Sequence, residues 1–170
     1  MHDYYHDRHI EDGFAEGGLR ETGYRKPEKR SLRRFGDIRE GEALPSLQQE
    51  PITRTHIVKY AGASFDFNPI HHDEEFAKRS RSGGIIAHGM MIMGYLGKCA
   101  TQYLGTAQFD RFASRNVGIS RPGDVLIIEG RVEEKRARAD GGGTVRIALT
   151  AKNKATGELV CTGEVLATLG

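Results

Sequence analysis

The chain has 170 residues, of which 38% are hydrophobic and 28% charged, and its formal net charge is +2. This length and composition are typical of one globular domain around one core, and the small net charge argues against a nucleic-acid partner. No apolar run is long enough to cross a membrane, and the N-terminus lacks the apolar region of a secretory signal. We therefore expect a cytoplasmic protein with no membrane partner.

Residues 1–34 are rich in charge, glycine and histidine without sustained periodicity. This pattern predicts an arm or tail that precedes a folded domain over residues 35–170. Five side chains of this segment could bind a metal ion: His2, Asp3, His6, Asp7 and His9. The favoured interpretation is that they are solvated and bind none. Cys99 and Cys161 lie far apart and form no CxxC motif, so we expect two buried thiols, no metal and no cofactor.

The first half of the domain is predicted to be mainly helical. A strand-like segment over 48–52 precedes Thr53, a good N-cap for a helix over 53–63. Its inward residues are predicted to be Ile57, Val58 and Tyr60. Asp73 caps a second helix, which we expect to end at the glycine pair 83–84.

The longest apolar stretch, residues 88–104, predicts a buried helix because apolar residues lie on nearly all of its sides. Three glycines weaken this helix intrinsically by about 1 kcal/mol each: Gly89, Gly94 and Gly97. We expect their small size to allow a sheet to pack closely against the helix.

After the glycine at 105 the pattern changes to alternation. It predicts strands over 111–119, 125–137, 145–151 and 159–169, separated by turns rich in glycine. A buried helix followed by a meander of long antiparallel strands indicates an α+β fold.

The loop over 64–72 contains the most informative residues. Asp66 and His71 are a carboxylate and an imidazole on a segment stiffened by Pro69, and such a pair can supply general acid and base near neutral pH. Asn68 is expected to fix the loop by bonding local backbone groups. The alternative is a simple turn stabilised by Asp66 with a solvent-exposed histidine.

The start of the long helix is a second candidate element. Free backbone N–H groups meet the positive end of the helix dipole there, so Gly89 can offer an oxyanion site for a thioester carbonyl, with His88 beside it. The alternative is that Gly89 serves packing only and that His88 is a structural residue.

Taken together, residues 60–71 (YAGASFDFNPIH) and 86–90 (IAHGM) resemble the MaoC-like dehydratases, the (R)-specific enoyl-CoA hydratases. The segment 121–126 is similar to a strand-opening turn of the same family. The resemblance covers about residues 34–170 and is nearest to single-domain (3R)-hydroxyacyl-ACP dehydratase subunits.

The resemblance implies a hot-dog fold, in which an antiparallel sheet wraps a long helix and two units pair edge to edge as a homodimer. Asp66 and His71 then match the catalytic pair, and the Gly89 amide matches the oxyanion donor. The reaction is the reversible hydration of a trans-2-enoyl thioester, linked to CoA or ACP, to a (3R)-3-hydroxyacyl thioester. Water and proton add to the same face.

Two positions depart from the family pattern. Phe65 stands where a glycine is usual, and Gly97 stands where some members carry a serine that supports the site. Both bear on substrate choice.

Two other functions stay open. A hot-dog acyl-CoA thioesterase often uses an acidic residue of the central helix, but residues 88–104 contain none. The chain is alternatively a subunit of a heterodimeric dehydratase that mainly shapes the acyl tunnel, although the presence of both Asp66 and His71 argues for the catalytic subunit. A basic rim for the carrier phosphates or an acidic carrier protein has three candidates: Lys98, Arg111 and Arg115.

Overall fold

The structure is a computed structural model that describes residues 33–105 and 108–170. The predicted arm lies outside this range except for its last two residues, so the division at residue 34 stays a prediction. The helices are α1 (Arg54–Ser64), α2 (Glu74–Arg79) and α3 (Gly89–Leu104), with 3-10 turns at Phe35–Asp37 and Pro69–His71. The strands are β1 (Leu47–Gln48), β2 (Gln108–Asn116), β3 (Leu126–Ala137), β4 (Gly143–Asn153) and β5 (Leu159–Leu169).

The five strands form one antiparallel sheet in the order β1-β3-β4-β5-β2. β3, β4 and β5 are the predicted meander, but β2 does not join it in sequence order. β2 pairs with β5 instead, and the main-chain N–H groups of Val117 and Gly118 both donate to Val160. The first long strand therefore lies at one edge of the sheet, far from β3.

Helix α3 packs on the concave side of this sheet, against β2, β3, β4 and β5. Burial alternates strictly along β4, so every second side chain faces the helix. Leu96 of α3 and Ile147 of β4 are both 0% exposed at the centre of this core. The α+β architecture with a sheet around a long helix is the expected hot dog.

Close approach explains two of the three helical glycines. A Cβ on Gly97 would lie 3.0 Å from Cε1 of Phe112, and one on Gly89 would lie 2.2 Å from Nδ2 of Asn116. Within residues 33–105 and 108–170, a Cβ on Gly94 would meet no atom within 4 Å, so close packing does not explain that glycine.

Several local predictions need correction. The strand over 48–52 is only two residues long and shifted to 47–48, because Pro51 has no N–H for a ladder. Val58 is 58% exposed, since α1 buries Ile57 and Ala61, which are one helical turn apart. Helix α2 ends at Arg79, before the glycine pair, where the Ser80 hydroxyl donates to the Ala77 carbonyl.

The predicted caps are present. The Thr53 side chain accepts a hydrogen bond from the N–H of His56, and the Asp73 carboxylate accepts one from Phe76. Cys99 and Cys161 are buried free thiols, as expected. In the described part of the chain, none of the helices has the length and apolarity needed to span a bilayer.

Candidate active site

The candidate loop begins where α1 ends in a left-handed residue. Phe65 has φ 59° and ψ 19°, and among the described residues it alone is a non-glycine residue with positive φ. A residue with a Cβ pays a steric cost in this conformation, so glycine would suit this position better. The left-handed residue turns the chain sharply just before Asp66, whose side chain is 51% exposed.

Asp66 is held by bonds within its own turn. Its N–H donates to the Ser64 hydroxyl at 3.3 Å, and its Oδ1 accepts from the N–H of Asn68 at 3.3 Å. The second oxygen, Oδ2, lies 3.8 Å from Nε2 of His71. The alternative prediction, a turn stabilised by the Asp66 side chain, is therefore correct. This turn uses only Oδ1, so Oδ2 can interact with His71.

His71 lies at the end of the 3-10 turn that begins at Pro69. The Asn68 side chain caps this turn by accepting from the N–H of Ile70 at 3.2 Å, the orienting contact expected of Asn68. The His71 ring is buried, with 7% exposure, and its Nδ1 lies 2.8 Å from the carbonyl oxygen of Ile86. A carbonyl only accepts, so Nδ1 carries the proton and Nε2 is the free basic nitrogen in the neutral ring.

His88 contacts both Asp66 and His71. It is 1% exposed, and its ring stacks on that of His71 with centroids 3.6 Å apart and 23° between the planes. Its Nε2 donates to the main-chain carbonyl of Asp66 at 3.0 Å. Burial lowers the pKa of His88, an effect that the bond to Asp66 only partly opposes, and this favours the neutral ring.

Helix α3 begins immediately after this histidine. The N–H groups of Gly89 and Met90 precede the hydrogen-bonded part of the helix, whereas that of Met91 donates to the His88 carbonyl at 3.1 Å. The His88 side chain makes no capping bond to this turn. The Asn116 amide lies against Gly89, in the space that a Cβ would occupy. The absence of a side chain at Gly89 thus serves packing against β2. Its role at a thioester carbonyl, together with that of His88, remains a prediction.

Ligand atoms of Asp66, His71 and His88 all lie within 4.8 Å of one another, which raises the question of a metal ion. An imidazole binds a metal in the plane of its ring, at about 2.0–2.1 Å for zinc. The planes of the two stacked rings are nearly parallel, so their lone pairs do not converge on one point. This geometry does not fit an ion shared by the two histidines.

The structure thus brings together Asp66, His71, His88 and the start of α3, while Asn68 and Pro69 shape the loop. Sequence reasoning missed three contributors: the Ile86 carbonyl, the Asn116 amide and the Tyr60 ring, which lies 4.9 Å from His88. The first acts through its main chain and carries no side-chain signal. Tyr60 was expected only in the core.

Comparison with known proteins identifies the family. The model of the MaoC like domain family matches residues 39–154, which is more than half of the chain, so the protein belongs to this family. An (R)-specific enoyl-CoA hydratase of Rhodospirillum rubrum is 38% identical over 65 residues. That match covers 38% of this chain and 44% of the relative, so it spans less than half of either protein.

Solved structures show the same fold. A protein of Archaeoglobus fulgidus named a monoamine oxidase regulatory protein has 28% identity and a TM-score of 0.73, and the match covers 83% of this chain and 96% of that one. The R-hydratase PhaJ1 of Pseudomonas aeruginosa has 23% identity and a TM-score of 0.70, covering 80% and 84%. The latter identity is low, so this likeness bears on the hot-dog fold alone.

Proposed function

We propose that the protein catalyses the reversible addition of water to a trans-2-enoyl thioester, giving a (3R)-3-hydroxyacyl thioester. The observation that carries this proposal is the pairing of Asp66 Oδ2 with His71 Nε2 next to the start of α3. Membership of the MaoC-like family and the name of the R. rubrum relative support the same reaction.

The separation of the pair suits a bridging water. Two atoms 3.8 Å apart are too distant for a direct hydrogen bond, yet one oxygen can lie about 2.8 Å from each. The free lone pair on Nε2 of His71 and the carboxylate of Asp66 both accept protons. A water held between them is therefore oriented and made more nucleophilic.

Hydration then needs two proton movements around one new bond. The water oxygen bonds to Cβ of the enoyl group, and the electrons of the double bond move toward Cα and the thioester oxygen. One water proton passes to the Asp66–His71 pair, and a proton from the pair reaches Cα. The pair ends as it began, and dehydration is the same path reversed.

The thioester oxygen needs support while it carries negative charge. We assign this to the N–H of Gly89, which lies in the first turn of α3, where the helix dipole favours an anion. His88 occupies the preceding position, and its burial leaves little room for its side chain to contact the substrate.

The carrier and the assembly are part of the same proposal. We expect an acyl-CoA or acyl-ACP substrate and a homodimer in which β2, an edge strand, pairs with β2 of a second copy. Val117 and Ile119, just after β2, are 50% and 49% exposed, which suits a partner surface. Arg111, one of the three residues predicted to bind the carrier, forms an ion pair with Glu164 at 3.0 Å. Its charge is therefore partly neutralised within the protein.

The test is the loss of enoyl absorbance when the purified protein is mixed with trans-2-enoyl-CoA of several chain lengths. Chiral analysis of the product should give the (3R)-alcohol. A thioesterase would instead release free thiol, which is measured in the same reaction. No hydration of any enoyl thioester, alone or with a co-expressed partner chain, would remove the proposed function.

A further inference from the structure

His88 belongs to a short segment that is fixed on both sides by main-chain bonds. The N–H of Ala87 donates to the carbonyl of Ser120 at 2.8 Å, and the carbonyl of Ile86 accepts from the His71 ring. After the segment, α3 begins directly. The His88 ring therefore starts from a rigid backbone and is suited to support other groups.

The side chain of His88 contacts both members of the candidate pair in different ways. Its Nε2–H donates to the main-chain carbonyl of Asp66, which fixes the end of the turn that presents the carboxylate. Its face lies against the His71 ring, while the Tyr60 ring contacts it at 49°. The orientation of His71 is thus set by two contacts, the bond to Ile86 and this stack.

The second ring nitrogen of His88, Nδ1, makes no hydrogen bond to the described residues. It is buried and carries only a lone pair. The titratable groups that face the ring are Asp66, His71 and His72 of the loop, and Tyr60 of α1. A neutral ring can lie 3.6 Å from a His71 that gains a proton during the reaction, whereas a second cation would oppose that proton.

We propose that His88 is a positioning residue of the hydratase site: it fixes the Asp66 main chain through Nε2–H and supports the His71 ring by stacking, and it transfers no proton itself. This inference rests on the proposed function and adds to it. It also differs from the thioester contact that sequence suggests for His88.

Three variants separate the contributions. His88→Phe keeps an aromatic face for His71 but removes the donor to Asp66. His88→Gln keeps a donor at nearly the same distance from the backbone. His56→Gln is the matched control, because His56 lies at the third position of α1, where glutamine also completes the capping pattern with Thr53.

The expected result is a split between kcat and KM. Misplacing a reacting group lowers the rate of the chemical step, so His88→Phe should lower kcat at least about 10-fold with KM changed less than about 3-fold. His88→Gln restores the donor but removes the stacked ring, so it should lower kcat less than His88→Phe does, by about 3-fold. Both variants should keep both limbs of the pH–rate profile, since the titrating pair is intact.

Three outcomes would overturn the proposal. Wild-type kcat in His88→Phe would show that the hydrogen bond to the Asp66 carbonyl is not needed, and an equal loss in His88→Gln would show that restoring the donor does not restore the site. Disappearance of one limb of the pH profile would show that His88 itself transfers a proton. Thermal melting of all three variants checks that each is folded, and His88→Gln carries the test where the bulkier variant does not fold.

A nitrogen-15 NMR spectrum of the histidine rings keeps this inference separable from the proposed function. If the wild type hydrates no enoyl thioester, the function fails, but the rings still report on positioning. We expect His88 to stay the neutral Nε2–H form to a lower pH than an ordinary histidine, because burial lowers its pKa. The His71 ring signals should shift in His88→Gln, which removes the stacked ring, but not in His56→Gln. Unchanged His71 signals in His88→Gln would contradict the proposed support.

Discussion

Phe65 offers a sharp test of the loop geometry, because its left-handed backbone should reverse the usual order of alanine and glycine. A left-handed residue with a Cβ costs about 1–2 kcal/mol, while glycine loses about 0.4–1 kcal/mol more chain entropy than alanine on folding. Phe65→Gly should therefore be more stable than Phe65→Ala by roughly 0.5–1 kcal/mol.

The comparison isolates the backbone because both variants lose the same side-chain contacts. The Phe65 ring is 83% exposed and touches only the edge of Phe67 among the described aromatic rings, with centroids 6.2 Å apart. The matched control is Gly62→Ala in α1, where a Cβ meets no atom within 4 Å. There alanine should be the more stable residue by about 0.5–1 kcal/mol.

Thermal melting and urea unfolding measure both differences. For a chain of this size, 1 kcal/mol corresponds to about 2–4 °C in Tm. The glycine variant should therefore have the higher Tm at position 65, and the alanine variant the higher Tm at position 62. If Phe65→Ala is as stable as Phe65→Gly, or more so, the left-handed turn before Asp66 is wrong, and with it the orientation of the carboxylate.

Two further predictions concern the core and the acid limit of stability. Leu96→Ala should cost about 2–5 kcal/mol in urea unfolding because Leu96 is fully buried, whereas Met90→Ala on the same helix, at a 59% exposed residue, should change stability by less than about 0.5 kcal/mol. Burial raises the pKa of Glu42, but hydrogen bonds and charge, above all those of Arg33, together outweigh this effect and hold the pKa below its ordinary value. The ionised Glu42 therefore stabilises the fold above its unfolded pKa, and this stabilisation is lost as the pH falls through its folded pKa. Glu42→Gln should flatten the acid side of a stability–pH curve measured by urea unfolding, and an unchanged slope would contradict this ion pair.

Local patterns were sufficient to predict much of the fold. Alternation along β4 and β5, the caps at Thr53 and Asp73, and the apolar length of α3 all depend on interactions within a few residues, and these elements are confirmed. The placement of β2 beside β5 depends instead on contacts between distant parts of the chain. Alternation predicts a strand but not its neighbour.

The site shows the same division. The spacing of Asp66 and His71 on a loop stiffened by proline predicts a candidate pair. In the structure, Oδ2 of Asp66 lies 3.8 Å from Nε2 of His71. The burial and tautomer of His71 follow from the Ile86 carbonyl, and any residue type at position 86 could offer that group. The stack of His88 on His71 joins two segments 17 residues apart, which no local pattern encodes.

The most direct test of the central claim is a double-mutant cycle on the candidate pair. Asp66→Asn and His71→Ala should each lower kcat/KM for enoyl-CoA hydration by about 100-fold or more. Because the two groups act on one water, the double variant should be hardly slower than the worse single variant. Losses that multiply, or a single variant with nearly full activity, would contradict the account of Asp66 and His71 as one acid–base unit.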